Sequence, residues 1–333
     1  MPCATVHMLL AREVMDAWDD DPRRAPVHLD RPGVRNAFLH GTMAPDLGFV
    51  PGTERLLSEA AHYLRPADLT RELLARSRSE AEEAFAWGWA AHVVGDVRIH
   101  PLVGRAVGER LFGDRDRRVD AAFDVETHVS LEVGLDVALL RGEQDVPAPA
   151  GGTYLTDASS AEPLLRALAA TYEVEWEVKK VVQDHVRAAW MTRWWPRALS
   201  LLPLRPPGPL GGDEGSAGEG GLLIRGLRKG TRPGTPARGF LGPEAPRDWF
   251  LGAVRREIHE FREHFDPMVR SGLSELANLN LETGEPTGPG RGHPATDAVD
   301  RKLQQGRGGC QGAEGEPSRS PHGPCGQGAD RRK

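Results

Sequence analysis

Two histidines and an aspartate stand four residues apart in the stretch Trp87 to Pro101, WGWAAHVVGDVRIHP: His92, Asp96 and His100. In a helix a step of four advances about 40° around the axis, so the three side chains lie along one slowly drifting stripe. Extended backward, the stripe meets Trp89 and Phe85, and it therefore faces a core. Imidazole and carboxylate groups placed there cost of order 1–3 kcal/mol each unless something satisfies them. Bound metal does so. Hydrogen bonding within the core is the ordinary fate of a lone histidine, and three correlated groups weigh against it here. The outer pair are about 12 Å apart along the helix, too far for one ion, so the spacing suggests two ions with Asp96 able to bridge toward a further one.

A later stretch repeats the idea. Val119 to Leu140 reads as a second long helix, with His128 and Glu132 one turn apart among Leu131, Leu135 and Leu139. This pair is half of a zinc site, and Asp136, one turn further on, is either outer support or a bystander. HxxxE is unspecific alone, and its force comes from the HxxxDxxxH helix before it. His259 and Glu263 have the same spacing, but the surrounding RREIHEFREHF is charged on most sides and is expected to be a solvated face.

Three further candidates occur singly. His7 lies in the first turn of an expected helix, capped by Thr5 and running to about Trp18, with Met8, Leu9, Val14 and Met15 as core. Asp46 falls in FLHGTMAPDLGF, Phe38 to Phe49, where Gly41, Pro45 and Gly48 are expected to break any helix. A carboxylate on such a turn can serve as ligand or base, or simply as turn-former and cap. His62 ends a short helix from Glu54 to Leu64, and its ExxH pairing with Glu59 lacks the second copy that a di-iron bundle requires. His40 reads as structural or exposed.

The elements that must position these groups are helical. Few β-branched runs occur, and the ordered part is expected to be all-α. Ser79 and Glu82 form a capping box for the central helix, and Pro101 is expected to end it near His100, with a separate short helix over Pro101 to Phe112. Helical material returns from Ala161 to about Leu201, with Leu164, Leu165, Leu168, Val174, Val178, Val181 and Val182 as core and Trp190, Trp194 and Trp195 closing one side of it. The expected organisation is a helical domain over 1–201, a Pro/Gly-rich, poorly ordered linker over 202–247, an additional helix over 248–276 and a disordered tail over 277–333.

A formal net charge of −6 offers no global field for nucleic acid or anionic membranes. Three scattered cysteines, Cys3, Cys310 and Cys325, frame no disulfide scaffold and point to a reducing compartment. The first twenty residues carry no signal-peptide pattern and no apolar run reaches membrane-spanning length, so the expected location is the cytoplasm. Nucleophile-elbow, P-loop and Rossmann glycine patterns are absent from the sequence.

Taken together, the opening MPxxxxH, the FLHGTMAPD turn, the HxxxDxxxH helix ending in HP and the later HxxxE resemble the zinc-dependent phospholipase C family. The likeness covers residues 1 to about 140 well and extends loosely to 200. It implies an all-helical bundle around a buried metal cluster of two or three zinc ions. By that resemblance Asp46, His62, His92 and Asp96 would bind one zinc, and His100, His128 and Glu132 a second. A third would take His7, the bridging Asp96 and, in secreted members, a processed amino end. The sequence departs from the secreted members twice, in lacking a removable propeptide and in the short four-residue step from Asp96 to His100. The activity implied is hydrolysis of a phospholipid or other phosphodiester, with Asp46 as base. The alternatives are a single-strand-specific zinc nuclease, against which the acidic balance argues, and a non-catalytic helical domain with a structural metal site.

Overall fold

The structure is a computed structural model, which describes residues 4–50, 52–143, 145–149, 154–201, 204–208, 210, 231–287 and 294–311. Among the described residues it is all-α, with no strand and only two isolated bridges, Arg205 with Glu244 and Leu279 with Pro286. The helices are α1 (Ala4–Asp20), α2 (Val34–Met43), α3 (Arg55–Tyr63), α4 (Pro66–Ala75), α5 (Glu80–Phe112), α6 (Val125–Gly142), α7 (Ala158–Tyr172), α8 (Val178–Ser200), α9 (Pro236–Phe240), α10 (Asp248–Arg270) and α11 (Pro294–Gln311). Short 3₁₀ turns occupy Pro22–Arg24 and Ala44–Phe49. No helix is long and apolar enough to cross a membrane among the described residues.

The axis of the bundle is α5, 33 residues and therefore about 50 Å long. Ser79 caps it by accepting from the Glu82 N–H, but the Glu82 carboxylate turns back one residue further than a capping box requires and accepts from Arg78 N–H. The helix does not stop at His100. It runs through Pro101, because only the bond to Val97 C=O is forfeited, and Gly284, in a turn from the far end of the chain, lies so near that a Cβ built on it would sit 3.9 Å from both Val97 O and Pro101 Cγ.

FLHGTM also belongs to a helix, not to a broken segment. Gly41 and Gly88 bring α2 and α5 together: a Cβ on Gly41 would sit 2.0 Å from Phe85 O, and one on Gly88 would sit 2.0 Å from Phe38 O. Here glycine is a packing device, and its cost in helix propensity is offset by backbone-to-backbone approach. Helix α1 is buried along most of its length, and its amino end is capped from another helix, by Asp136 of α6 accepting from Thr5 N–H at 3.0 Å.

The segments beyond residue 201 pack onto the rest of the chain more closely than the sequence leads one to expect. The 202–247 stretch is, where described, a strap across α6. Ser130 Oγ donates to Gly242 O at 2.7 Å, Gly234 N–H to Glu126 at 2.7 Å, and Gly134 leaves no room for a Cβ beside Glu244 O. The 248–276 helix is α10, ending at Arg270, and it buries Phe250, Val254, Ile258, Phe261 and Phe265 against α1 and α5. Residues 277–287, expected to be tail, fold against α3, α5 and α6, and α11 packs on α3. The remainder of that tail, 288–293 and 312–333, lies outside the described residues. On α8 the buried stripe is Val181, Asp184, His185, Ala188, Ala189 and Thr192. Trp190 and Trp194 lie off that stripe and face outward, 60% and 50% exposed, and do not close the core. The Trp195 side chain lies outside the described residues.

Candidate metal centre

All eight candidate residues converge, delivered by five elements. The first turns of α1 carry His7, the 3₁₀ turn after α2 carries Asp46, and the last turn of α3 carries His62. Helix α5 carries His92, Asp96 and His100, and α6 carries His128 and Glu132. His100 is half-buried and the other seven are buried. They form three groups whose ligand-type atoms lie within 4.8 Å of one another: His7, His92 and Asp96; Asp46, His62 and His92; and His100, His128 and Glu132. His92 and His100, at the two ends of the stripe, fall in different groups.

Asp96 joins the groups. Its Oδ2 lies 3.1 Å from both His62 Nε2 and His92 Nε2, and its Oδ1 lies 3.1 Å from His7 Nε2 and 3.8 Å from His100 Nε2. Asp46 Oδ1 is 3.3 Å from His62 Nε2 and 3.9 Å from His92 Nε2. Glu132 Oε1 is 3.2 Å from His128 Nε2 and 3.5 Å from His100 Nε2.

The outer nitrogens decide what the inner ones present. His62 Nδ1 meets Ser58 O at 2.8 Å, His92 Nδ1 meets Thr42 O at 2.9 Å, and His100 Nδ1 meets Leu281 O at 3.0 Å. A carbonyl only accepts, so each Nδ1 is the donor, and in a neutral ring each Nε2 turns a lone pair inward. The Nε2 atoms of His62 and His92 are 3.3 Å apart with a carboxylate oxygen beside both. Such a convergence is repulsive unless positive charge lies among it, and metal ions answer that need with the chemistry these donors prefer.

The electrostatics point the same way. Burial pulls the His62 pKa down, but Asp46 and Asp96 more than offset it and push it up to about 9. His100 is likewise opposed by burial and pushed up by Asp96 and Glu132 to about 10. Burial works to raise Asp96, yet His100, His92 and His7 hold it well below the usual carboxylate range. His92 is pushed down, by burial and by His7, whose ring stacks on it with centroids 4.0 Å apart. The carboxylates thus demand cations and the imidazoles supply the matching donors.

A cleft opens onto this cluster, lined by Asp46, Phe49, Arg55, His62, Tyr63, His100, Val125, His128, Val129, Glu132, Pro236 and Glu282. Sequence reasoning missed Phe49, Arg55, Tyr63 and Glu282, and also the carbonyls that orient the rings. No local pattern marks them; Leu281 meets His100 from 181 positions away along the chain. Other histidines play different parts. His40 and His185 are buried together, His185 Nε2 lying 3.1 Å from His40 Nδ1, and neither belongs to the three groups. His259 and Glu263 are exposed, as their charged surroundings suggest, and Glu59 pairs with Arg55 and Lys302 instead of sharing a metal with His62.

Comparison with known proteins agrees with the geometry. An uncharacterized protein of Archaeoglobus fulgidus is 32% identical over 69 residues, which is 20% of this chain and 20% of that protein, so the chain spans about a fifth of the curated relative it matches. No solved structure matches it. The family model for zinc dependent phospholipase C matches residues 6–195, more than half of the chain and a span that contains all eight clustered residues. The chain belongs to the zinc dependent phospholipase C family.

Proposed function

We propose that the protein is a zinc-dependent phosphodiesterase acting on a phospholipid or a related phosphodiester, with the eight clustered residues as its metal ligands. The observation that carries this reading is Asp96, whose two oxygens each face imidazoles of different groups. In this reading Asp46, His62, His92 and Asp96 hold one zinc; His100, His128 and Glu132 hold a second; His7 and Asp96 contribute to a third. Bound zinc supplies Lewis acidity toward phosphoryl oxygens and makes water acidic enough to react near neutral pH.

The residues around it do the rest. Asp46 engages the imidazoles through Oδ1, which leaves Oδ2 to accept a proton from the attacking water. Arg55 carries the guanidinium of the cleft and is placed to bind a phosphate oxygen, with Phe49 beneath it at 5.7 Å. Phe49, Val125, Val129 and Pro236 give the cleft an apolar side suited to the diacylglycerol portion of a lipid.

The test is metal content and turnover together. Purified protein is expected to carry two to three zinc ions per chain and to hydrolyse phospholipid, with phosphorylated headgroup as product and single-stranded DNA left intact. Asp96→Asn is expected to lose more than one ion and over ~100-fold in turnover, since even outer partners of metal ligands are worth about 10–100-fold. Less than one zinc per chain, or full metal content in Asp96→Asn, would overturn the ligand assignment. Zinc without phosphodiester turnover would leave a structural metal site in place of an enzyme.

A further inference from the structure

The family match ends at residue 195, but the site does not. A turn at 280–284 lies against three of the helices that carry ligand-type residues. Leu281 N–H donates to His62 O at 3.0 Å, and Leu281 O accepts from His100 Nδ1 at 3.0 Å. The next residue, Glu282, is buried. Its Oε1 takes the Ala121 N–H and lies 3.8 Å from His128 Nδ1, and its Oε2 accepts from Tyr63 Oη at 3.1 Å. His128 Nδ1 is buried and has no other partner among the described residues. Two consecutive residues therefore address the outer nitrogens of both histidines in the His100, His128, Glu132 group.

The turn is built to stay there. Asn280 Oδ1 accepts from Glu282 N–H at 3.0 Å and from Thr283 N–H at 3.2 Å, while Asn280 N–H donates to Glu285 O at 2.7 Å and Gly284 N–H to Asn280 O at 2.7 Å. Gly284 has φ +71°, a left-handed conformation that suits glycine and closes the turn. On the other side, Asn278 Oδ1 accepts from Ala67 and Asp68 N–H at the start of α4, which ties the segment to the helix following His62.

We propose that this turn is a positioning element for the second metal subsite, in which Glu282 orients His128 and Leu281 orients His100, so that metal affinity there depends on a segment outside the family-matched region. At 3.8 Å the carboxylate is one small ring rotation from a hydrogen bond to His128 Nδ1. A carboxylate behind a ligating imidazole fixes the ring's tautomer and raises its basicity. The inference rests on the metal-site reading above, and the experiment separates the two.

Metal-free full-length protein is titrated with Co²⁺, followed by its visible absorption, and with Zn²⁺, followed by bound metal after dialysis. The comparison includes Glu282→Ala, Glu282→Gln and Glu285→Ala, the last an exposed position on the same turn. Circular dichroism melts establish that each variant is folded. Glu282→Ala is expected to bind one ion about 10–100-fold more weakly and to leave the others unchanged. Glu282→Gln, which keeps an acceptor for Ala121 and a partner for Tyr63 without the charge, is expected to fall between it and the parent, and Glu285→Ala to match the parent. Glu282→Ala and Glu282→Gln both binding like the parent would overturn the positioning role. Equal weakening of every ion would overturn it as well, since that is a loss of fold. If Glu282→Ala does not fold, Glu282→Gln alone decides. Absence of cobalt or zinc binding in the parent protein would instead defeat the underlying metal-site reading.

Discussion

Asp136 shows how one carboxylate can serve the site without entering it. It stands one turn beyond Glu132 and caps α1 by accepting from Thr5 N–H, which places His7 two residues later against Asp96. Burial pushes its pKa up to about 7, opposed by the Thr5 and Val6 N–H groups and by His7, and assisted by Glu132. With a folded pKa above the unfolded value, the native state binds the extra proton, so this group's contribution to stability is present below about pH 4 and is lost as pH rises through about 7. The effect is at most about 1.4 kcal/mol per unit of pKa difference. Asp136→Asn keeps an acceptor and removes the titration. In metal-free protein, the stability difference between variant and parent, from urea unfolding at pH 5 and pH 7, is expected to shift in the variant's favour at the higher pH. A difference independent of pH would show that Asp136 does not titrate in this range.

At the scale of elements, the contact between α2 and α5 sets the candidate metal centre. Thr42 O, at the carboxyl end of α2, orients His92 on α5, and the two helices reach that distance only because Gly41 and Gly88 have no side chains. Gly88→Ala places a methyl group 2.0 Å from Phe38 O, a backbone atom that cannot move aside alone. The expected cost is at or above the ~1–3 kcal/mol of ordinary overpacking, read as a lowered midpoint in thermal or urea unfolding. Zinc affinity is expected to fall with it, because the carbonyl behind His92 moves. An unchanged midpoint would show that the helices separate freely. The same contact explains why FLHGTMAPDLGF misleads in sequence: two glycines and a proline so close together read as a broken helix, and the partner backbone that makes Gly41 favourable is more than forty residues away.

The whole molecule is larger than its family-matched part. Helix α10 inserts a stripe of four aromatic and aliphatic anchors beside Phe265; Phe261 stacks on Phe265 with centroids 5.6 Å apart, and Phe265 in turn meets Trp18 and Trp87. Phe261 is fully buried. Phe261→Ala is expected to cost about 3–5 kcal/mol and to lower the unfolding midpoint of the entire chain in one transition. A separate, early transition confined to α10 would mean that the segment beyond residue 201 is an independent appendage. The cohesion has a functional side: the turn that follows α10 reaches His62, His100 and His128.

Much of this was legible in the sequence, for a physical reason. Helical periodicity is local, so the spacing of His92, Asp96 and His100 and of His128 and Glu132 by itself defined two stripes of metal-type donors, and the Ser79 cap and the solvated His259 face followed from immediate neighbours. Other features depend on partners far along the chain and have no local signature. Only the tertiary structure decided that Pro101 lies within a helix, that Trp190 and Trp194 face outward, that Asp136 caps α1, and that residues 277–287 fold against the helices carrying the clustered histidines. It also decided which way the imidazoles turn. A ring's orientation is set by what holds its outer nitrogen, and those holders, Ser58 O, Thr42 O, Leu281 O and the Glu282 carboxylate, are brought near only when the chain folds.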